Sequence, residues 1–198
     1  MNVSSRWCVT AVFALATFGC SDPVPPPAKG AFIASVKPAT SPPVGKACPT
    51  SAFTYDVPIV LEKMANPPEF LTENRYKRKI VDGESGASVS CAVKGRSTFT
   101  FSGEIQLGDR GLSFSNGTIG ADKKGTAQVT VIKTGSPGFP TMMSPTANCT
   151  IDAAKADGNN YQIEAGHIWA RFVCPSVENV PTDFCAADGF LVFENCDQ

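Results

Sequence analysis

The stretch that decides the fold is "RSTFTFSGEIQLG", residues 96–108. Phe99, Phe101, Ile105 and Leu107 alternate with Thr98, Thr100, Ser102, Glu104 and Gln106. A repeat of two places the first set on one side of a pleated strand and the second on the other, whereas a helical repeat would scatter both. "RGLSFSNG", residues 110–117, continues the pattern with Leu112 and Phe114. The connection "GDRG" supplies the Gly and Asp of a hairpin turn.

Outward from this hairpin the same repeat recurs. "ASVSCAVKG" aligns Val89, Cys91 and Val93, and "GTAQVTVIKTG" aligns Ala127, Val129 and Val131. "NCTIDA" gives Cys149 and Ile151. "NNYQIEAGHIWARFVC" gives Tyr161, Ile163 and Ala165, then Ile168, Ala170, Phe172 and Cys174, and "GFLVFENC" closes the chain. Turn signals fall between the runs at Asp82-Gly83, Asn116-Gly117, 122–125 and 157–159. Only residues 60–79 could hold a helix, and a short one. The 17 Gly and 16 Pro, with 13 Phe against 3 Tyr, fit a turn-rich β chain. The expected fold is therefore all-β: an antiparallel β-sandwich or flattened barrel, disulfide-stapled.

The N-terminal part reads differently. Residues 7–18 are an apolar run of secretory length, too short to span a bilayer. It ends at Gly19-Cys20. This resembles the signal peptide of bacterial lipoproteins, in which a small residue precedes the cysteine that is acylated. The resemblance implies that 1–19 is removed and that the Cys20 thiol carries a diacylglycerol. Each buried methylene contributes about 0.8 kcal/mol, so two or three acyl chains anchor stably. Ser21 resembles the pattern sent on to the outer membrane, which implies a place in the bacterial cell envelope with the membrane as a partner through the lipid on Cys20. Pro recurs at 23, 25, 26, 27, 38, 42 and 43, favouring extended backbone. Residues 20–47 are thus expected to be an acylated cysteine and a disordered tether of roughly 80 Å reach. "AFIASV", 31–36, is an apolar island within it, able to dock on the domain. A single β domain is expected over 48–198.

Setting aside Cys8 and Cys20 leaves six of the 8 cysteines: Cys48, Cys91, Cys149, Cys174, Cys185 and Cys196. An even number in an exported chain predicts three disulfides, with the pairing open. No Cys-x-x-Cys occurs, so no metal site is expected. Cys174, Cys185 and Cys196 are close in sequence and are expected to pin the C-terminal loop and last strand.

No catalytic constellation stands out. His167 is the only histidine and sits inside an expected strand, where it reads as an ordinary strand residue rather than a catalytic base. No G-x-S-x-G occurs, and "GESGAS", 83–88, reads as a loop. "DAAKADGNN", 152–160, lacks calcium-loop spacing and reads as a turn. "RYKRK", 75–79, reads as a solvated loop, or as a contact for anionic headgroups or a polyanionic envelope polymer. The sequons at Asn116 and Asn148 have no use behind a bacterial leader. A net charge of -1 gives no footprint for nucleic acid.

From Val89 to Cys174 the chain resembles the mycobacterial lipoprotein antigens, through "VSC" at 89–91, "KADGNNYQIEAG" at 155–166 and "FVCPS" at 172–176. That resemblance implies an anchored, small-residue-rich β domain with a bridge from Cys91 to Cys174. The expected function is a noncatalytic, envelope-anchored lipoprotein with a structural or binding role, needing no cofactor and possessing an envelope polymer or protein as partner. A β shell carrying a small apolar ligand is the alternative. A polymer hydrolase using Glu104 with Asp109 or Glu164 is the third reading.

Overall fold

The computed structural model describes residues 24–49, 53–57, 79–133, 141–153, 162–179 and 183–198. Twelve strands run through them: β1 (Lys29–Pro38), β2 (Phe53–Val57), β3 (Ile80–Val81), β4 (Ala87–Gly95), β5 (Phe99–Leu107), β6 (Arg110–Ile119), β7 (Lys124–Lys133), β8 (Met142–Met143), β9 (Cys149–Asp152), β10 (Gln162–Glu164), β11 (His167–Asn179) and β12 (Asp183–Glu194). They form one antiparallel sheet in the order β2-β1-β12-β11-β8-β7-β6-β5-β4, with β3 on β1, β10 on β11, and β9 bridging β11 and β7. The all-β expectation is met.

The period-two pattern sets which side each residue takes. Val89, Val93, Phe99, Phe101, Ile105, Leu112, Phe114, Val129, Val131, Ile168 and Phe172 are all buried, as their alternation requires. A sheet with one apolar face must bury it, and this one does so by folding back on itself. Phe114 of β6 meets Phe172 of β11 edge-on at 5.5 Å and Phe193 of β12 at 6.3 Å. A Cβ on Gly30 would lie 2.7 Å from the Ile105 side chain, so β1 presses closely on β5. Each aromatic or branched side chain buried this way contributes about 1.5–3 kcal/mol.

The turns follow local chemistry. Leu107 pairs with Arg110 across Gly108-Asp109, the hairpin expected there. Glu164 pairs with His167 across Ala165-Gly166, where Gly166 takes φ 81° without steric cost. Ala165 is therefore an exposed turn residue and not part of the inward row. Asn116-Gly117 is not a turn either: it lies within β6 at a bulge, where the register shifts between Ser115 and Thr118. Asn116 accepts φ 52° there, as asparagine does more readily than most side chains. Pro175 likewise sits where the β11 register shifts, between Cys174 and Val177.

The largest correction concerns the tether. Lys29–Pro38 is no disordered spacer but β1, paired along ten residues with β12 and flanked on its other side by β2 and β3. Ala31, Phe32, Ala34 and Val36 are buried. The prolines frame this strand instead of interrupting it: Pro27 precedes it and Pro38 is its last residue. The domain thus begins near residue 29, and not at Cys48.

Three disulfides staple the fold: Cys48–Cys185, Cys91–Cys196 and Cys149–Cys174. The Cys91–Cys174 bridge implied by the resemblance is not formed. Cys91 lies on β4 at the sheet's end, whereas Cys174 lies on β11 against β9, 4.1 Å between Cα atoms from Cys149. A cysteine bonds the thiol its backbone brings within about 7 Å.

Candidate functional site

Three strands build the outward side of the sheet opposite the core: β1, β12 and β11. Register fixes its rows. Ala31, Val192 and Trp169 stand side by side, and Ile33, Phe190 and Arg171 form the next row. Ala31, Trp169, Phe190 and Val192 are nearly fully buried although they point away from the main core. β12 is consequently apolar on both sides, which explains the unbroken run "FLVF" at 190–193.

One end of this face carries a polar cluster around the single histidine. His167 stacks on Trp169 with ring centroids 5.8 Å apart. Lys79 lies over the Trp169 ring at 5.0 Å and forms an ion pair with Glu194. Trp169 Nε1 donates to Glu194 Oε1 at 3.2 Å. His167 Nδ1 is 4.0 Å from Glu164 Oε1, and its Nε2 has no hydrogen-bond partner. Burial pushes the His167 imidazole below its ordinary pKa; Glu194 and Glu164 pull it back up, and Lys79 opposes them. Among the described residues no serine, threonine or cysteine donates to this imidazole. Lys79, the last residue of "RYKRK", is half-buried rather than solvated; residues 75–78 lie outside the described residues.

The opposite end holds a cleft of about 560 Å³ lined by the end of β1, residues 39–41, Asn148, β11 and β12. Its charged groups are Lys37, Arg171 and Asp188, with Lys37 Nζ 2.6 Å from Asp188 Oδ1. Asn148 Nδ2 donates to Ser176 Oγ at 2.9 Å. The volume is that of a small-molecule site, and the lining mixes convergent polar groups with apolar surface. This cleft was not legible in the sequence. Its parts are separated by more than a hundred positions and meet only because β1 inserts beside β12.

The remaining candidate residues disperse. Glu104 pairs in register with Ser90 and Ser113, and the acidic residue sharing its shallow depression is Asp197, not Asp109 or Glu164. Asp109 sits in the β5–β6 turn, 3.8 Å from Arg110. Asp152 ends β9, while 154–160 of the calcium-like string lie outside the described residues. Among the described residues no group of three or more His, Cys, Asp or Glu is placed to hold a metal ion. Residues 1–23, with Cys8 and Cys20, and the candidate helix at 60–78 also fall outside them. No family model, curated protein or solved structure matches this chain.

Proposed function

We propose that the chain is a noncatalytic lipoprotein of the bacterial envelope, anchored through Cys20 and acting by binding rather than by turnover. The observation that carries this reading is the set of three disulfides. They suit an oxidising compartment, and they use six of the eight cysteines. Cys20 is left at the end of an export leader, directly behind Gly19, where acylation gives it a role. Because the domain starts at β1, the leash is short. Residues 21–28 extend at most about 28 Å when fully stretched, so the domain stands close to the lipid surface.

The site chemistry agrees with binding. Among the described residues His167 has no nucleophile to activate, and the carboxylates Glu104, Asp109 and Glu164 lie apart in the sheet register. The alternative reading, a shell around an apolar ligand, would require the phenylalanines to line open space. Instead Phe114 packs on Phe172 and Phe193, so these rings fill the core with one another. The test is the intact mass of the protein extracted from membranes of its source organism. The expected mass starts at Cys20 and includes a diacylglycerol and three disulfides. A chain that retains residues 1–19, or one with an unmodified Cys20, overturns the anchor.

A further inference from the structure

We infer that the cleft between β1, β11 and β12 binds the carboxylate-bearing sugar units of an acidic polysaccharide. This rests on the binding role proposed above, though not on the anchor, and gives that role a ligand class.

The first argument is the guanidinium. Arg171 lies on the exposed row of β11, with Phe190 and Asp152 as its cross-strand neighbours. Among the described residues its side chain has no hydrogen bond or ion pair. The other two charges in the cleft, Lys37 and Asp188, neutralise each other at 2.6 Å. Among the described residues the cleft therefore presents one cation outside any ion pair, whose planar fork matches a carboxylate in two parallel hydrogen bonds.

The second argument is what surrounds it. A sugar acid also offers hydroxyls and an apolar C–H face. Ser176 is 7% exposed and held by Asn148, so their remaining hydrogen-bonding capacity is fixed in direction. Asp188 keeps Oδ1 toward Lys37, which leaves its second carboxylate oxygen as an acceptor for a hydroxyl group. Val173, 38% exposed, and Phe184 supply the apolar floor. Lys46 lies 5.9 Å from the centroid of the Phe184 ring and is tied to Glu178 at 2.7 Å, which restrains this floor from outside the cleft. A bare phosphate would satisfy Arg171 but would leave the apolar floor and the Ser176–Asn148 pair unused. A neutral sugar would use those and leave Arg171 unpaired. Of these three ligand classes, the uronate alone uses all of them.

The test is a calorimetric titration of the full protein, as isolated in detergent, with three probes: a short oligogalacturonate, the uncharged galactose oligomer of the same length, and inorganic phosphate. Saturable binding of the oligogalacturonate is expected, roughly tenfold or more tighter than either control, since a charge-assisted hydrogen bond is worth more than one such factor. Arg171→Gln should abolish that preference, and Arg171→Lys should weaken it by losing the fork. Glu104→Gln, on the β4–β6 side, should leave it unchanged. Arg171 is exposed, so these variants should keep the parent melting temperature, which is measured alongside. Absence of oligogalacturonate binding, equal binding of phosphate, or binding that survives Arg171→Gln in a folded variant each overturns the inference. The outcome is independent of the mass at Cys20: an unacylated cysteine would sink the anchor and leave this titration standing, and the reverse holds equally.

Discussion

His167 shows how much a residue's surroundings decide its role. Its aromatic neighbour, its two nearby carboxylates and the Lys79 ammonium all come from register and packing, which single-sequence periodicity does not specify. The strand assignment was legible because Ile168, Ala170 and Phe172 alternate around it. The stack on Trp169 was not. With its pKa lowered on folding, the imidazole binds its proton more weakly in the folded chain than in the unfolded one. Its effect is absent well above the ordinary histidine value of about 6.5. Stability is then lost as pH falls through that value toward the lower folded one. His167→Gln should remove this component. In paired thermal melts at pH 7.5 and 5.0, the parent protein should lose more melting temperature on acidification than the variant. An equal loss in both would show that His167 is as solvated as a free imidazole.

At the scale of elements, β1 and β5 make an instructive contrast. β5 is buried on one side only, so its sequence alternates and declares itself. β1 lies between β12 and β2, its interior residues are small or apolar on both sides, and prolines stand at its ends. A near-continuous apolar run of six residues inside a proline-rich segment carries no period, so composition outweighed pattern. The apolar island at 31–36 was the remaining trace of the strand. The distinction is measurable. Ala34 is fully buried, opposite Gly189 on β12, while Val24 is 90% exposed. Ala34→Asp would place an unpaired carboxylate in the sheet interior and should cost about 3–5 kcal/mol or prevent folding. Val24→Asp should change stability by no more than about 0.5 kcal/mol. Urea unfolding of both variants checks this, and equal behaviour would return β1 to the tether.

The last few residues matter at this scale too. β4 ends the sheet, and a bare edge invites pairing with another chain. Here Val93 N donates to Asp197 O, Asp197 N donates to Cys91 O, and Gly166 N donates to Val93 O. The C-terminal segment therefore covers the edge backbone and is fixed there by Cys91–Cys196.

Across the whole molecule, long-range closure is the common theme. The first described strand pairs with the last, and two bridges span 137 and 105 positions. Cross-linking loops of that length restricts the unfolded chain by about 4–5 kcal/mol each in the entropic account, against roughly 3.5 kcal/mol for the 25-position bridge. The class of fold and the number of bridges were readable from alternation and an even cysteine count. The pairing was not, because it depends on which strands the folded sheet makes neighbours, and β1 had not been placed among them. The cleft was hidden for the same reason.

The most direct test of this architecture is the disulfide map of the non-reduced protein, read by peptide mass spectrometry after proteolysis. It should yield Cys48 linked to Cys185, Cys91 to Cys196 and Cys149 to Cys174, with no free thiol among the six. A peptide joining Cys91 to Cys174 would contradict the sheet order, since β4 and β11 could then not hold the places described.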